Sequence, residues 1–292
     1  MKEKHYTYLL ILAMLLWGGG WSALKILTFH STIEVVVFWR FFLMSLSFLP
    51  ILYFFKIPLT LSAKSLSFIA SSSILNIAFM VSSFLGIKHG LAGAGSVIIT
   101  TLSPVMTFLL VAVIFKKQLQ FKQYFGLVLG LLGGIVLLQL NNIELFFNGS
   151  NIYFLLCALI WAGVTILSQY SHQHIHPIHY SFFISVVATI SSYIYAYNSN
   201  LLSVFSQGSE FWIALILAVL GQSVATTIFF MASGKLGSEK TSSFMFLVPL
   251  FALFTAWLLL DEAIQAHILI GGTLSLFAVY FINKSKIDDK TT

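Results

Sequence analysis

The chain has 292 residues, of which 59% are hydrophobic and only 8% charged, with a formal net charge of +6. Soluble domains carry about 25% charged residues, so the composition excludes an ordinary soluble enzyme or binding module. The positive charge does not indicate nucleic acid either, because the lysines fall in short gaps between apolar runs and form no dense basic patch among exposed aromatics.

Apolar runs near 20 residues recur from end to end, each matching the ~30 Å hydrocarbon thickness of a bilayer. They predict ten spans, at 6–28, 34–55, 66–88, 92–115 and 121–140, then at 151–170, 177–197, 211–233, 241–260 and 264–282. The predicted fold is an all-α integral membrane protein. The first span has no Ala-x-Ala-like cleavage site and reads as retained, not as a signal peptide. It contains Trp17-Gly18-Gly19-Gly20-Trp21. Its glycines loosen the helix and allow a neighbour or ligand to approach closely. Trp17 and Trp21, four apart, share a face and form either one wall of a cavity or a packing surface.

Arg40 lies inside span two, where its charge must snorkel or find a partner. It either braces the outer part of the bundle or attracts an anionic group. Asn76 in span three and Gln222 in span eight hold nearly equivalent places, and a carboxamide facing lipid is costly, so both should face the interior. Each either holds a polar substrate or bonds to neighbouring backbone. Met80 and Phe84 continue the Asn76 stripe, as Thr226 and Phe230 continue that of Gln222. Pro104 in span four and Pro249 in span nine lack an amide hydrogen and should bend their helices, as paired gates or in plain packing. Cys157, the single cysteine, cannot form an internal disulfide and reads as core. His172, His174, His176 and His179 crowd one turn, which is an exposed loop or a metal or pH sensor. No carboxylate sits at mid-span, which weakens a proton relay but leaves coupling through a His or the substrate open.

Trp17 and Trp161 stand 144 residues apart, Pro104 and Pro249 145 apart. An offset of half the chain suggests two copies of one unit, residues 1–145 and 146–292, each of five spans. An odd number of spans per copy makes the second enter the bilayer in the opposite direction, giving two inverted repeats. With both termini cytoplasmic, twelve of the fifteen basic residues fall inside, as the positive-inside tendency requires.

Leu16-Trp17-Gly18 with Trp21, Phe38-Trp39-Arg40-Phe41, Pro104, Gly126 and Gly133, followed by Trp161, Pro249, Asp261-Glu262 and Gly271-Gly272, resemble the EamA-domain family of the drug/metabolite transporter superfamily. The resemblance runs over roughly residues 6–282. It implies a central cavity between inverted repeats, lined chiefly by spans one, three, four, six, eight and nine. It also implies transport of small metabolites, especially amino acids and related solutes, with many members exporters. By resemblance the substrate-binding residues are Trp17, Trp21, Asn76, Met80, Thr101, Trp161, Thr165, Gln222, Thr226 and Met245. Gly19, Arg40, Pro104, Pro249 and Glu262 are gating or structural, the last at the outer end of span nine. Phe115-Lys116-Lys117 departs from the family, which often has Glu at that end.

The expected function is transport of a small amphipathic metabolite across a plasma membrane (a bacterial inner membrane), without cofactor, metal or ATP. The partners are the metabolite and membrane lipid; monomer and homodimer are both open. The neutral polar contacts lean towards zwitterions, amphipathic cations or neutral solutes. The alternatives are an intramembrane enzyme acting on a lipid or isoprenoid, which would need a polar catalytic set that these spans lack, and a non-transporting sensor.

Overall fold

A segment buried in hydrocarbon must satisfy its backbone polar groups internally, so uniformly apolar runs fold as helices. The computed structural model describes residues 3–59, 61–89, 92–137, 151–260 and 266–284. The helices are α1 Glu3–His30, α2 Ile33–Phe55, α3 Ala63–His89, α4 Ala92–Ile114, α5 Phe121–Leu137, α6 Asn151–Ser171, α7 Pro177–Tyr195 and α8 Ser209–Leu236, then α9 Ser238–Ser243, α10 Val248–Leu260 and α11 Ala266–Asn283. Two 3-10 segments, Leu201–Ser206 and Phe244–Leu247, precede α8 and α10.

Among the described residues eight stretches are long and apolar enough to cross a bilayer, with Ser238–Leu259, from α9 into α10, counted as one. Phe121–Leu137 and Leu269–Asn283 are shorter apolar helices. This corrects the expectation of ten full-length spans. The 17 residues of α5 rise only about 26 Å. The adjoining residues 138–150 and 261–265 are outside the described residues, and with them Glu262.

Packing repeats across the two halves. α1 packs on α8 and α10, and α6 packs on α3 and α4. α2 packs on its counterpart α7, and α5 on its counterpart α11. The α5–α11 contact is nearly reciprocal at its centre. A Cβ on Gly133 would come within 3.0 Å of the Gly271 carbonyl oxygen, and one on Gly271 within 2.9 Å of the Gly133 carbonyl oxygen. Only glycine on both helices lets the backbones approach so closely. Gly18 serves α1 in the same way, since a Cβ there would meet Ala252 N of α10 at 2.7 Å.

The halves run in opposite directions. Glu3, at the start of α1, pairs with Lys240 in α9. Glu239 beside it takes Lys117, just past α4, at 3.1 Å. Phe115 stacks on Tyr170 at the end of α6, with ring centroids 5.4 Å apart. Ser65 at the start of α3 donates to the carbonyl of His174, in the turn after α6. One rim therefore holds the start of α1 and the end of α6. At the other rim His30, ending α1, lies 3.7 Å from Glu210, opening α8. There Trp39 Nε1 also donates to the Leu201 carbonyl at 2.8 Å.

The two prolines act differently. α4 continues through Pro104, and hydroxyls there bond to carbonyls of their own helix: Thr100 to Ser96, Ser103 to Ile99 and Thr107 to Ser103. Before Pro249 the second-half helix breaks into the 3-10 turn Phe244–Leu247. Pro249 cannot donate to the Met245 carbonyl, and the amide of Val248 does so instead. Paired kinks were expected; only the second half interrupts its helix.

Candidate functional site

At the centre of the bundle is a cavity of about 200 Å³, bordered by residues of α1, α2, α3, α4, α6, α7, α8, the 3-10 turn and α10. Eight of the ten expected substrate-binding residues border it: Trp17, Trp21, Asn76, Met80, Trp161, Gln222, Thr226 and Met245. Thr101 and Thr165 do not. Thr101 is buried against α5, where a Cβ on Gly134 would lie 2.4 Å from its methyl. Thr165 is fully buried and donates to the Trp161 carbonyl at 2.8 Å. Thr100, one residue earlier and so on another helix face, borders the cavity in place of Thr101. In the glycine run Gly20 borders it, whereas Gly19 faces the Thr255 methyl with ordinary room.

The two tryptophans face each other across the halves. Trp17 and Trp161 meet edge-on at 5.7 Å, and Phe229 and Phe79 complete the cluster at 5.0 Å from Trp17 and 5.5 Å from Trp161. Both indole Nε1 atoms are buried without a hydrogen-bond partner. The two amides are held within their own helices: Asn76 Nδ2 donates to the Ser72 carbonyl at 2.9 Å, and Gln222 Nε2 to Thr226 Oγ1 at 3.1 Å. Each thus keeps a side-chain carbonyl oxygen as an acceptor for a solute.

α2 and α7 were not among the expected lining helices. α2 contributes Ile33, Val37, Arg40, Phe41 and Met44, and α7 contributes Ser181, Ile184 and Ser185. The serines at 181 and 185, four apart on one face, were the available signal. The lining reaches Ile33, the first residue of α2, and so extends towards the rim where α1 ends. Towards the other rim the bundle is filled by Tyr180, Phe230 and Phe244, all at most 2% exposed, and Tyr180 bonds to Ser72.

The four clustered histidines go to separate tasks. His172 packs where a Cβ on Gly234 would stand, and His174 stacks on Phe68 at 5.6 Å. His176 caps α7 by accepting from the Ile178 amide at 3.3 Å, and His179 is buried 6.4 Å from its ring. No group of three or more metal-ligating side chains is gathered among the described residues. Partial burial, and then the charge of His172, hold the His176 imidazole below the usual histidine range. Cys157 is buried and donates to the Phe79 carbonyl at 3.5 Å.

The EamA-like transporter family matches twice, over residues 6–139 and 149–284. An uncharacterized transporter of Bacillus subtilis (strain 168), YoaV, is 23% identical over 280 residues, covering 93% of this chain and 94% of that protein. A protein of Salmonella typhimurium described as a probable amino-acid metabolite efflux pump is 23% identical over 291 residues, covering 94% of this chain and 93% of its own length. A solved crystal structure superposes with a TM-score of 0.77 at 14% identity, over 95% of this chain and 97% of that one, a likeness of fold alone.

Proposed function

Because this chain belongs to the EamA-like transporter family, and is a multi-spanning membrane transporter rather than an enzyme, we propose that it exports a small amphipathic metabolite, an amino acid or related solute, by alternating access at the central cavity. The observation that carries this reading is the cavity's composition. Counterpart residues of the two inverted halves, Trp17 with Trp161 and Asn76 with Gln222, meet on one space. Exchanging the conformations of the halves would turn that space from one rim to the other. The broken segment at Phe244–Leu247, which has given up regular helix hydrogen bonding beside the cavity, is the natural moving part. The Salmonella relative's described role in amino-acid metabolite efflux supports both solute class and direction.

The lysine-rich rim holding Glu3, Lys117 and Lys240 is assigned to the cytoplasm by the positive-inside tendency. The cavity then faces outward in this conformation. The test is efflux of labelled amino acids from vesicles containing the purified protein. Asn76→Leu and Gln222→Leu should each lower flux about tenfold, the worth of one polar contact to a charged group, while leaving thermal unfolding in detergent nearly unchanged. Wild-type flux in both variants would remove the amide pair from the site.

A further inference from the structure

Among the described residues Arg40 is the one charged residue bordering the cavity; the others carry apolar, hydroxyl, amide or indole side chains, and none of them is Asp or Glu. Its guanidinium lies 5.0 Å above the Phe41 ring, a contact that attracts the charge without cancelling it. Arg40 makes no ion pair among the described residues, and its Nε is buried without a hydrogen-bond partner. The unpartnered indole N–H groups of Trp17 and Trp161 also border this space, and an indole nitrogen can only donate. The cavity thus holds unpartnered donors and carries an uncompensated positive charge.

A bundle that closes around its solute seals that charge away from water, where an unpaired ion is expensive. A neutral or cationic solute would leave the expense in place. A carboxylate removes it, because a guanidinium fork matches two carboxylate oxygens in geometry as well as charge. Asn76 and Gln222 offer neutral carbonyl oxygens, which can accept from an amine but cannot balance its charge. We infer that the cavity takes a small organic acid, its carboxylate paired with Arg40 and its apolar body against Trp17, Phe79 and Met80. This rests on the transport reading and narrows it: the acid group is what Arg40 recognises, and an amino group, where the solute has one, is left to the Asn76 and Gln222 carbonyls.

The test uses the purified full chain and four probes of one shape: 3-phenylpropionate, its neutral amide, the zwitterion phenylalanine and the cation phenethylamine. Binding is read by calorimetry in detergent, and flux in vesicles. The acid and phenylalanine, which share the carboxylate, should each bind about tenfold or more tighter than the amide or the amine. Arg40→Gln should erase this preference and raise the melting temperature of the ligand-free protein by removing an unpaired charge. Arg40→Lys, which keeps the charge but loses the fork, should retain a reduced preference. Equal binding of the acid and the amide, or acid preference surviving in Arg40→Gln, would overturn the inference. Flux of phenylalanine that ignores Arg40→Gln leaves transport standing and removes the carboxylate site. Arg40-dependent acid binding without flux of any probe keeps the site and defeats the transport reading.

Discussion

At the scale of single residues, the structure separates neighbours that look alike in sequence. Thr165 and Thr226 are both buried threonines on long apolar helices. The hydroxyl of Thr165 is spent on its own helix, at the Trp161 carbonyl, whereas that of Thr226 holds the Gln222 amide at the cavity wall. Thr165→Val should therefore shift stability by no more than about 1 kcal/mol and leave flux intact. Thr226→Val should reduce flux by freeing Gln222; vesicle transport with matched melting curves tells the two apart. Spacing along a helix states which residues share a face, but not which face looks inward when all faces are apolar. That is why Asn76 and Gln222, marked by polarity, were legible, and why Thr101 was taken where Thr100 stands. His176 supplies a pH dependence. Its imidazole is held below the ordinary histidine value in the folded protein, so folding favours the neutral ring. The stability it lends is present above about pH 6.5 and is lost as pH falls through the lower folded value. Melting temperatures should drop more between about pH 8 and about pH 5 in the wild type than in His176→Asn, which keeps a capping side chain.

At the scale of elements, the existence of the helices was written in hydrophobicity, and their distinct roles were not. α5 and α11 read as spans like any others, yet among the described residues they fall short of the eight stretches able to cross a bilayer, and they pair with each other through glycine. Gly133→Val should force this contact apart and destabilise the protein by about 1–3 kcal/mol, the usual range for overpacking. Gly20→Ala, with nothing within 4 Å of the added methyl, should not. Thermal unfolding in detergent measures both. The prolines are the converse case. Their positions in sequence match, but Ser and Thr hydroxyls surround Pro104 within an unbroken helix, and Phe, Met and Leu precede Pro249 at the break. Proline marks where a carbonyl is freed; its neighbours decide what becomes of it. Of the two lysines after α4, Lys117 reaches across to the other half, where Glu239 receives it.

At the scale of the whole molecule, the inverted repeat was visible as a half-chain offset because aromatic and proline landmarks punctuate an otherwise uniform sequence. The cavity's share of α2 and α7 was not, since helix adjacency leaves no trace in composition. The rim assignments make a direct prediction. In a Cys157→Ala background, cysteines at Lys116 and His174 should react with a membrane-impermeant reagent from the same side, and one at Leu202 only from the opposite side. Lys116 and His174 labelling from opposite sides would refute the antiparallel arrangement. The self-paired contacts, α2 on α7 and α5 on α11, have a broader consequence. A surface that fits its own inverted copy needs no covalent tether to find it. A half-length ancestor inserting in both directions could have assembled into this bundle before its gene was duplicated and fused, and once fused, one copy alone was free to acquire an arginine.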